Sequence, residues 1–242
     1  MLEKTKAIVL HQVKYTDSGI VAQLYTRKFG RQSFMIKGMH NRKAGKHSAF
    51  FQPLFILNLE MYYKSRREMQ TLKEFSVAYT PYQIFTDIRK SSVAIFMGEV
   101  LTSVLREESP HEELYDFLEE AVKWFDSSEK EFANFHLGFL SGLSAYLGFE
   151  PGQKTIEDEQ YFDMLNGSFV VVPPLHGQYA GKEVSEYLAQ IFASSYDNVG
   201  KIALSGKVRN EILETLIRFY SLHLPGLRKF NSLEVLKEVF SF

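Results

Sequence analysis

The stretch that decides the first half of the fold is Phe55-Ile56-Leu57-Asn58-Leu59-Glu60-Met61-Tyr62. Its odd-numbered positions are all apolar, whereas the even-numbered ones include Asn58 and Glu60. Side chains along a strand alternate between two faces, so this period of two predicts a half-buried β-strand. The neighbouring segments are therefore best interpreted as further strands of one sheet.

Four more segments before residue 80 are short and rich in β-branched or aromatic residues. The turn signals Asp17-Ser18-Gly19 and Phe29-Gly30 fall between three of them. The segments are Ala7–His11, Ile20–Thr26, Gln32–Lys37 and Met69–Val77. Five short strands in so few residues favour a small closed barrel. The OB-fold, which commonly binds nucleic acid on its strand 2–3 face, is the leading case.

Beyond Thr80-Pro81 the apolar period becomes helical, which predicts a second domain. A capping box with proline at the first helical position, Ser109-Pro110-His111-Glu112, predicts the start of one of its helices. Other helical patterns run through 93–105, 128–147, 182–193, 208–223 and 231–240. The predicted fold class is α+β, with a five-stranded OB-fold barrel at 1–80 and a mostly α-helical domain at 81–242. An irregular excursion at about 151–181 interrupts the helices.

The charge is divided unevenly along the 242 residues, although the formal net charge is only −1. Residues 1–73 contain 14 Lys and Arg but 4 Asp and Glu, a net of +10, which leaves −11 for the remainder. A basic segment of this size attracts phosphates and makes their binding salt-dependent. We therefore expect a nucleic-acid-binding barrel and a second domain with another task; a merely solvated, lysine-rich surface is the alternative.

The basic residues of the barrel fall mainly in predicted connections, and aromatic residues are interleaved with them. Cations that follow phosphates and rings that stack on bases are what single-strand binding requires. The predicted phosphate contacts are Arg27, Arg42, Lys43, Lys46, Lys64, Arg66 and Arg67. The candidates for base stacking are Tyr15, Tyr25, Phe34 and Tyr62.

Several classes of protein are disfavoured by what the sequence lacks. Without cysteine there is no disulfide, thiolate zinc site or cysteine nucleophile. Nucleotide-binding loops and nucleophile motifs are also missing, so we expect no enzyme, catalytic residue, metal or cofactor. No apolar run of about 18 residues and no signal-like N-terminus is found, so we expect a cytoplasmic protein without a membrane partner. Two alternatives stay open: an RNA- or tRNA-binding module, and a metal-dependent nuclease using Glu157, Asp158 or Glu159.

Several short motifs occur in a fixed order along the chain. The N-terminal ones are Ala7-Ile8-Val9-Leu10, Tyr15-Thr16-Asp17-Ser18-Gly19, Leu24-Tyr25-Thr26-Arg27, Phe29-Gly30, Ile36-Lys37-Gly38, Gln52-Pro53-Leu54 and Leu72-Lys73-Glu74. Two more lie near the C-terminus, at 218–225 and 227–233. Together these motifs resemble those of RecO, a family of bacterial recombination mediators, and the last two resemble its closing segment.

This resemblance implies an OB-fold followed by a helical domain that together bind and anneal single-stranded DNA and also bind duplex DNA. It implies nucleoid association and loading of RecA, with RecR, onto DNA coated by single-stranded DNA-binding protein (SSB), whose C-terminal tail binds the helical domain. DNA binding is carried over to Arg27, Lys37, Arg42, Lys43 and Lys46. Many members hold zinc with four cysteines where 151–181 lies. We expect this excursion to be held instead by packing of Phe162, Leu165, Phe169 and Val171.

Overall fold

A closed barrel of five strands forms the first part of the structure, as predicted. The computed structural model describes residues 1–16, 19–37, 48–65, 67–106, 109–158 and 160–240. The strands are β1 (Leu2–Thr16), β2 (Gly19–Thr26), β3 (Gly30–Lys37), β4 (Ile56–Tyr62) and β5 (Met69–Tyr79), in the order β1-β2-β3-β5-β4. All neighbours are antiparallel except β3 and β5, which pair in parallel at Ser33 and Met69.

The barrel core follows the alternation seen in the sequence. In β4, Leu57, Leu59 and Met61 are buried inside, whereas Asn58 is exposed. β1 is longer than the predicted strand because its first half pairs with β4 and its second half with β2, with a register shift after Val9. One long, irregular strand thus joins two neighbours and closes the barrel.

Three helices, α1 (Tyr82–Thr86), α2 (Ile88–Val104) and α3 (Glu112–Ser127), follow the barrel. The predicted capping box is wrong, because α3 begins only at Glu112. The Nδ1 atom of His111 accepts a hydrogen bond from the amide of Leu114 at 3.1 Å. The imidazole thereby satisfies one of the amides that a helix start leaves unpaired.

Contacts between the barrel and α1–α3 make Met1–Asp126 one compact unit, and Ser127–Phe242 forms the other. Asp126, near the end of α3, accepts hydrogen bonds from the Tyr79 hydroxyl and the Ile84 amide, both at 2.8 Å. The buried Lys90 ammonium donates to the Asp126 carbonyl at 2.8 Å. The sequence change near Thr80-Pro81 therefore marks a switch in secondary structure within this first unit.

The second unit consists of helices around a small sheet. Its elements are α4 (Phe135–Tyr146), β6 (Tyr161–Asp163), β7 (Ser168–Val170), β8 (Tyr179–Ala180), α5 (Lys182–Phe192), α6 (Gly206–His223) and α7 (Leu233–Val239). The strands form one sheet in the order β7-β6-β8. Among the described residues, no helix is both long and apolar enough to cross a membrane.

The excursion at 151–181 contains this sheet and is held by a mixed apolar and polar cluster. Phe162 and Phe169 are buried with ring centroids 5.1 Å apart, as predicted. The prediction is wrong for Leu165 and Val171, whose side chains are exposed. The buried Asp163 carboxylate instead accepts hydrogen bonds from two turn amides, the Asn166 side chain and the His176 ring.

Candidate nucleic-acid interface

Three segments distant in sequence meet at one end of the barrel. The Met1 ammonium donates to the Tyr63 carbonyl, and the Tyr63 amide donates to the Met1 carbonyl at 3.0 Å. The rings of Phe29 and Tyr63 stack with centroids 4.1 Å apart. The amide of Lys28 donates to the Thr5 hydroxyl at 3.2 Å. The chain start, the β2–β3 turn and the β4–β5 turn therefore form one continuous surface, which we call the barrel end.

A buried glutamine fixes the β4–β5 turn. Gln70 is 3% exposed, and its Oε1 accepts a hydrogen bond from the Lys64 amide at 2.9 Å. Its Nε2 donates to the carbonyls of Lys64 and Arg67 at 2.9 and 3.1 Å. Because an amide side chain offers donors and acceptors together, one residue satisfies both strands of the turn. The turn then presents Lys64 and Arg67 from a fixed backbone.

Lys64 and Arg67 are exposed, and within the described parts of the chain neither has a carboxylate partner. Of the other predicted phosphate contacts, Lys37 ends β3 opposite Gly19. Arg42, Lys43, Lys46 and Arg66 lie outside the described residues. Two further lysines, Lys4 and Lys28, are also exposed, although neither was assigned as a phosphate contact; Lys28 directly follows Arg27 in the sequence.

Arg27 differs from these cations because it is already ion-paired. Its Nε and Nη2 atoms donate to the two carboxylate oxygens of Asp116, each at 3.0 Å, and Nη2 lies 3.0 Å from Glu112 Oε2. The hydrogen bond to Asp116 raises the pKa of the guanidinium, which is fully charged in any case. The predicted phosphate ligand is thus held by two carboxylates of α3.

The four predicted stacking residues divide into two pairs. Tyr15 and Tyr62 are 60% and 46% exposed, so their rings are accessible to a base. Phe34 and Tyr25 are 0% and 3% exposed. Phe34 belongs to the barrel core, whereas Tyr25 follows the core residue Leu24 and is buried on the outer face of β2. The stacking prediction is wrong for this second pair, because neither buried ring is accessible to a base.

No group of three or more His, Asp or Glu able to hold a metal is present among the residues the structure describes. Of the residues considered for a nuclease site, Glu157 and Asp158 are exposed, and Glu159 lies outside the described residues.

Two family models together match nearly the whole chain. "Recombination protein O N terminal" matches residues 1–81, and "Recombination protein O C terminal" matches residues 86–234. The chain belongs to the recombination protein O, or RecO, family. The division between the two RecO models falls where strands give way to helices.

Curated relatives match the sequence of this chain over their full length. A protein of Phocaeicola vulgatus named DNA repair protein RecO is 36% identical over 241 residues, covering all of both chains. Proteins of the same name from Flavobacterium johnsoniae and Porphyromonas gingivalis are 36% and 30% identical, each with at least 98% of both chains covered. The RecO-family resemblance read from the sequence motifs is confirmed.

Proposed function

We propose that this chain is a DNA-binding mediator of recombinational repair and performs no chemistry of its own. Two facts support the proposal: its RecO-family relatives are named as DNA repair proteins, and its barrel end carries unpaired cations. In this role it binds single-stranded and duplex DNA, anneals complementary strands and, with RecR, helps load RecA onto SSB-coated DNA. The helical domain, residues 81–242, binds the SSB tail.

The observation that carries DNA binding is the clamped β4–β5 turn. Lys64 and Arg67 project from a backbone fixed by Gln70, next to the exposed ring of Tyr62. Cations held in place bind phosphates without first losing backbone freedom, and a tyrosine face stacks on any base. The surface therefore suits a single strand of any sequence. Arg42, Lys43, Lys46 and Arg66, which lie outside the described residues, stay proposed phosphate contacts on the basis of the sequence.

The test is fluorescence anisotropy of a labelled single-stranded DNA across a salt series. Removing one Lys or Arg that contacts a phosphate flattens the plot of log affinity against log salt by about 0.7 for single strands. We expect Lys64→Ala/Arg67→Ala to lower the slope by about 1.4 and Arg42→Ala/Lys43→Ala/Lys46→Ala by about 2.1. Arg228→Ala/Lys229→Ala, an exposed pair in the second unit, removes the same charge as the first variant and is its control.

Equal slopes for the turn variant and its control would contradict the proposed surface. An RNA oligonucleotide of the same sequence is the competitor, and preference for it would favour the RNA-binding alternative. Incubation of the protein with DNA and magnesium tests the non-enzymatic role. Strand cleavage by the unchanged chain that is absent in Glu157→Gln or Asp158→Asn would overturn this role. Annealing assays with RecR and SSB then address the mediator steps.

A further inference from the structure

The outer face of β1, β4 and β5 forms the floor of a groove whose wall is α3. Cross-strand register places Lys4 beside Glu60 and Lys6 beside Asn58 on this floor. Arg27 and Lys28 of the β2–β3 turn line its edge, and the groove encloses about 800 Å³. The groove lies on a different barrel face from strands 2 and 3, where OB-folds commonly bind nucleic acid.

Carboxylates of α3 hold three of the groove's cations, one of which, Lys123, lies on the same helix and pairs with Glu119. Glu112 and Asp116 bind Arg27, and Glu119 Oε1 lies 2.9 Å from Lys6 Nζ. Positions 112, 116 and 119 are spaced by four and three residues, which places them on one helix face. Burial raises the pKa of Glu119, but hydrogen bonds from Lys123 and Lys6 outweigh it and lower the pKa overall. Glu119 is therefore an ionised partner at neutral pH.

Lys4 and Lys28 line the same groove, and neither forms an ion pair in the described regions. Of the groove's five cations, Lys4 and Lys28 are available, whereas carboxylates occupy Lys6, Arg27 and Lys123. Three further acids, Glu60, Glu74 and Glu120, also line the groove. The Arg27 pair is half exposed on both sides, with 41% of the Arg27 side chain and 50% of the Asp116 side chain accessible. Solvent and salt screen an exposed ion pair even when it is bidentate, so another anion is able to compete with the carboxylates for the guanidinium.

We propose that this groove is a second phosphate-binding tract, for a phosphodiester backbone, in which Glu112 and Asp116 compete with phosphate for Arg27. The inference rests on the proposed DNA-binding function and adds a regulated site to it. Lys4 and Lys28 receive the first phosphates, and Arg27 joins them when the carboxylates of α3 release it. Free protein and DNA-bound protein then differ in the partner of Arg27.

The experiment measures single-stranded DNA binding in a four-protein cycle: the unchanged chain, Arg27→Ala, Glu112→Gln/Asp116→Asn, and the combination. Glu157→Gln/Asp158→Asn is the control, because it makes the same two substitutions at exposed sites of the second unit. We expect Arg27→Ala to change affinity little in the unchanged background, because the phosphate contact of Arg27 is there offset by the loss of its contacts with Glu112 and Asp116. Glu112→Gln/Asp116→Asn should steepen the salt slope by about 0.7, so that its affinity advantage grows roughly 2.6-fold from 200 to 50 mM salt. Adding Arg27→Ala should abolish that gain.

Each other outcome overturns the inference in a recognisable way. A gain no larger than that of the control is an effect of net charge alone. A gain that survives Arg27→Ala is general repulsion between α3 and DNA. If the unchanged chain binds no DNA even at low salt, the proposed function itself fails, and the inference fails with it.

Discussion

Replacing Gln70 by alanine tests whether the β4–β5 turn is a built surface for DNA. The substitution removes one bond to the Lys64 amide and two bonds to turn carbonyls. A typical hydrogen bond contributes about 0.5–1.5 kcal/mol net, which gives a loss of roughly 1.5–4.5 kcal/mol for three. Because the turn flanks are exposed, water replaces part of this bonding. We therefore expect the free energy of unfolding to fall by about 2 kcal/mol.

The effect of Gln70→Ala on DNA binding distinguishes the positioning of Lys64 and Arg67 from their charge. No cation is removed, so the salt slope of DNA binding should stay unchanged. The turn must instead be ordered on binding, and fixing one residue costs roughly 1–2 kcal/mol, so the Kd should rise about 5- to 30-fold. Lys64→Ala/Arg67→Ala, in contrast, should flatten the salt slope, because it removes two cations.

Urea denaturation and anisotropy across a salt series are the two assays. Gln153→Ala, at an exposed glutamine of the second unit, is the control and should match the unchanged chain in both. If Gln70→Ala keeps full stability and full affinity, the turn is not clamped by this side chain. If the affinity falls together with the slope, the loss is electrostatic and the positioning argument is refuted.

Three further predictions follow from the buried polar groups. Asp126→Ala should lower stability by about 2–4 kcal/mol by leaving Tyr79 and Ile84 without an acceptor, and Tyr79→Phe should add less in that background than alone in urea denaturation. Burial lowers the pKa of His136 from 6.5 to about 3, so the neutral ring stabilises the fold fully above pH 6.5 and progressively less as the pH falls towards 3. The free energy of unfolding is thereby lowered by about 2 kcal/mol at pH 5 relative to pH 7. In His136→Phe, the difference between the free energies of unfolding at these two pH values should be smaller by this amount. EDTA should leave the melting temperature unchanged, because hydrogen bonds from protein groups to Asp163 hold the excursion at 151–181. Release of zinc together with a lower melting temperature would contradict this.

The described structure also explains why not every basic residue of residues 1–73 is available to bind DNA. Arg31 donates to the carbonyls of Thr102 and Leu105 at 3.0 Å, at the C-terminal end of α2, where a cation complements the helix dipole. Lys73 pairs with Glu60, and Arg27 with α3. Several of the barrel's positive charges therefore stabilise the first unit, and Lys64 and Arg67 are better candidates for phosphate than the total charge indicated.

The sequence by itself determined the barrel and most of the helices. The alternation around Leu57 and Leu59 fixed which side of β4 is buried, because neighbouring residues of a strand point to opposite faces. Helical periodicity identified α5 and α6 in the same way. Such signals are local, so a short window of residues contains them. The burial of Phe34 was also consistent with alternation, but its aromatic ring alone did not distinguish core from stacking surface.

Only the tertiary structure decided which charges meet. Arg27 and Asp116 are 89 residues apart, and their ion pair depends on α3 lying across the β1–β4–β5 face. Likewise, Gln70 was one polar residue in a strand until the closed barrel placed it under the turn that it holds. Electrostatic and hydrogen-bond partners are set by distance in space, whereas a one-dimensional pattern reports only neighbours along the chain.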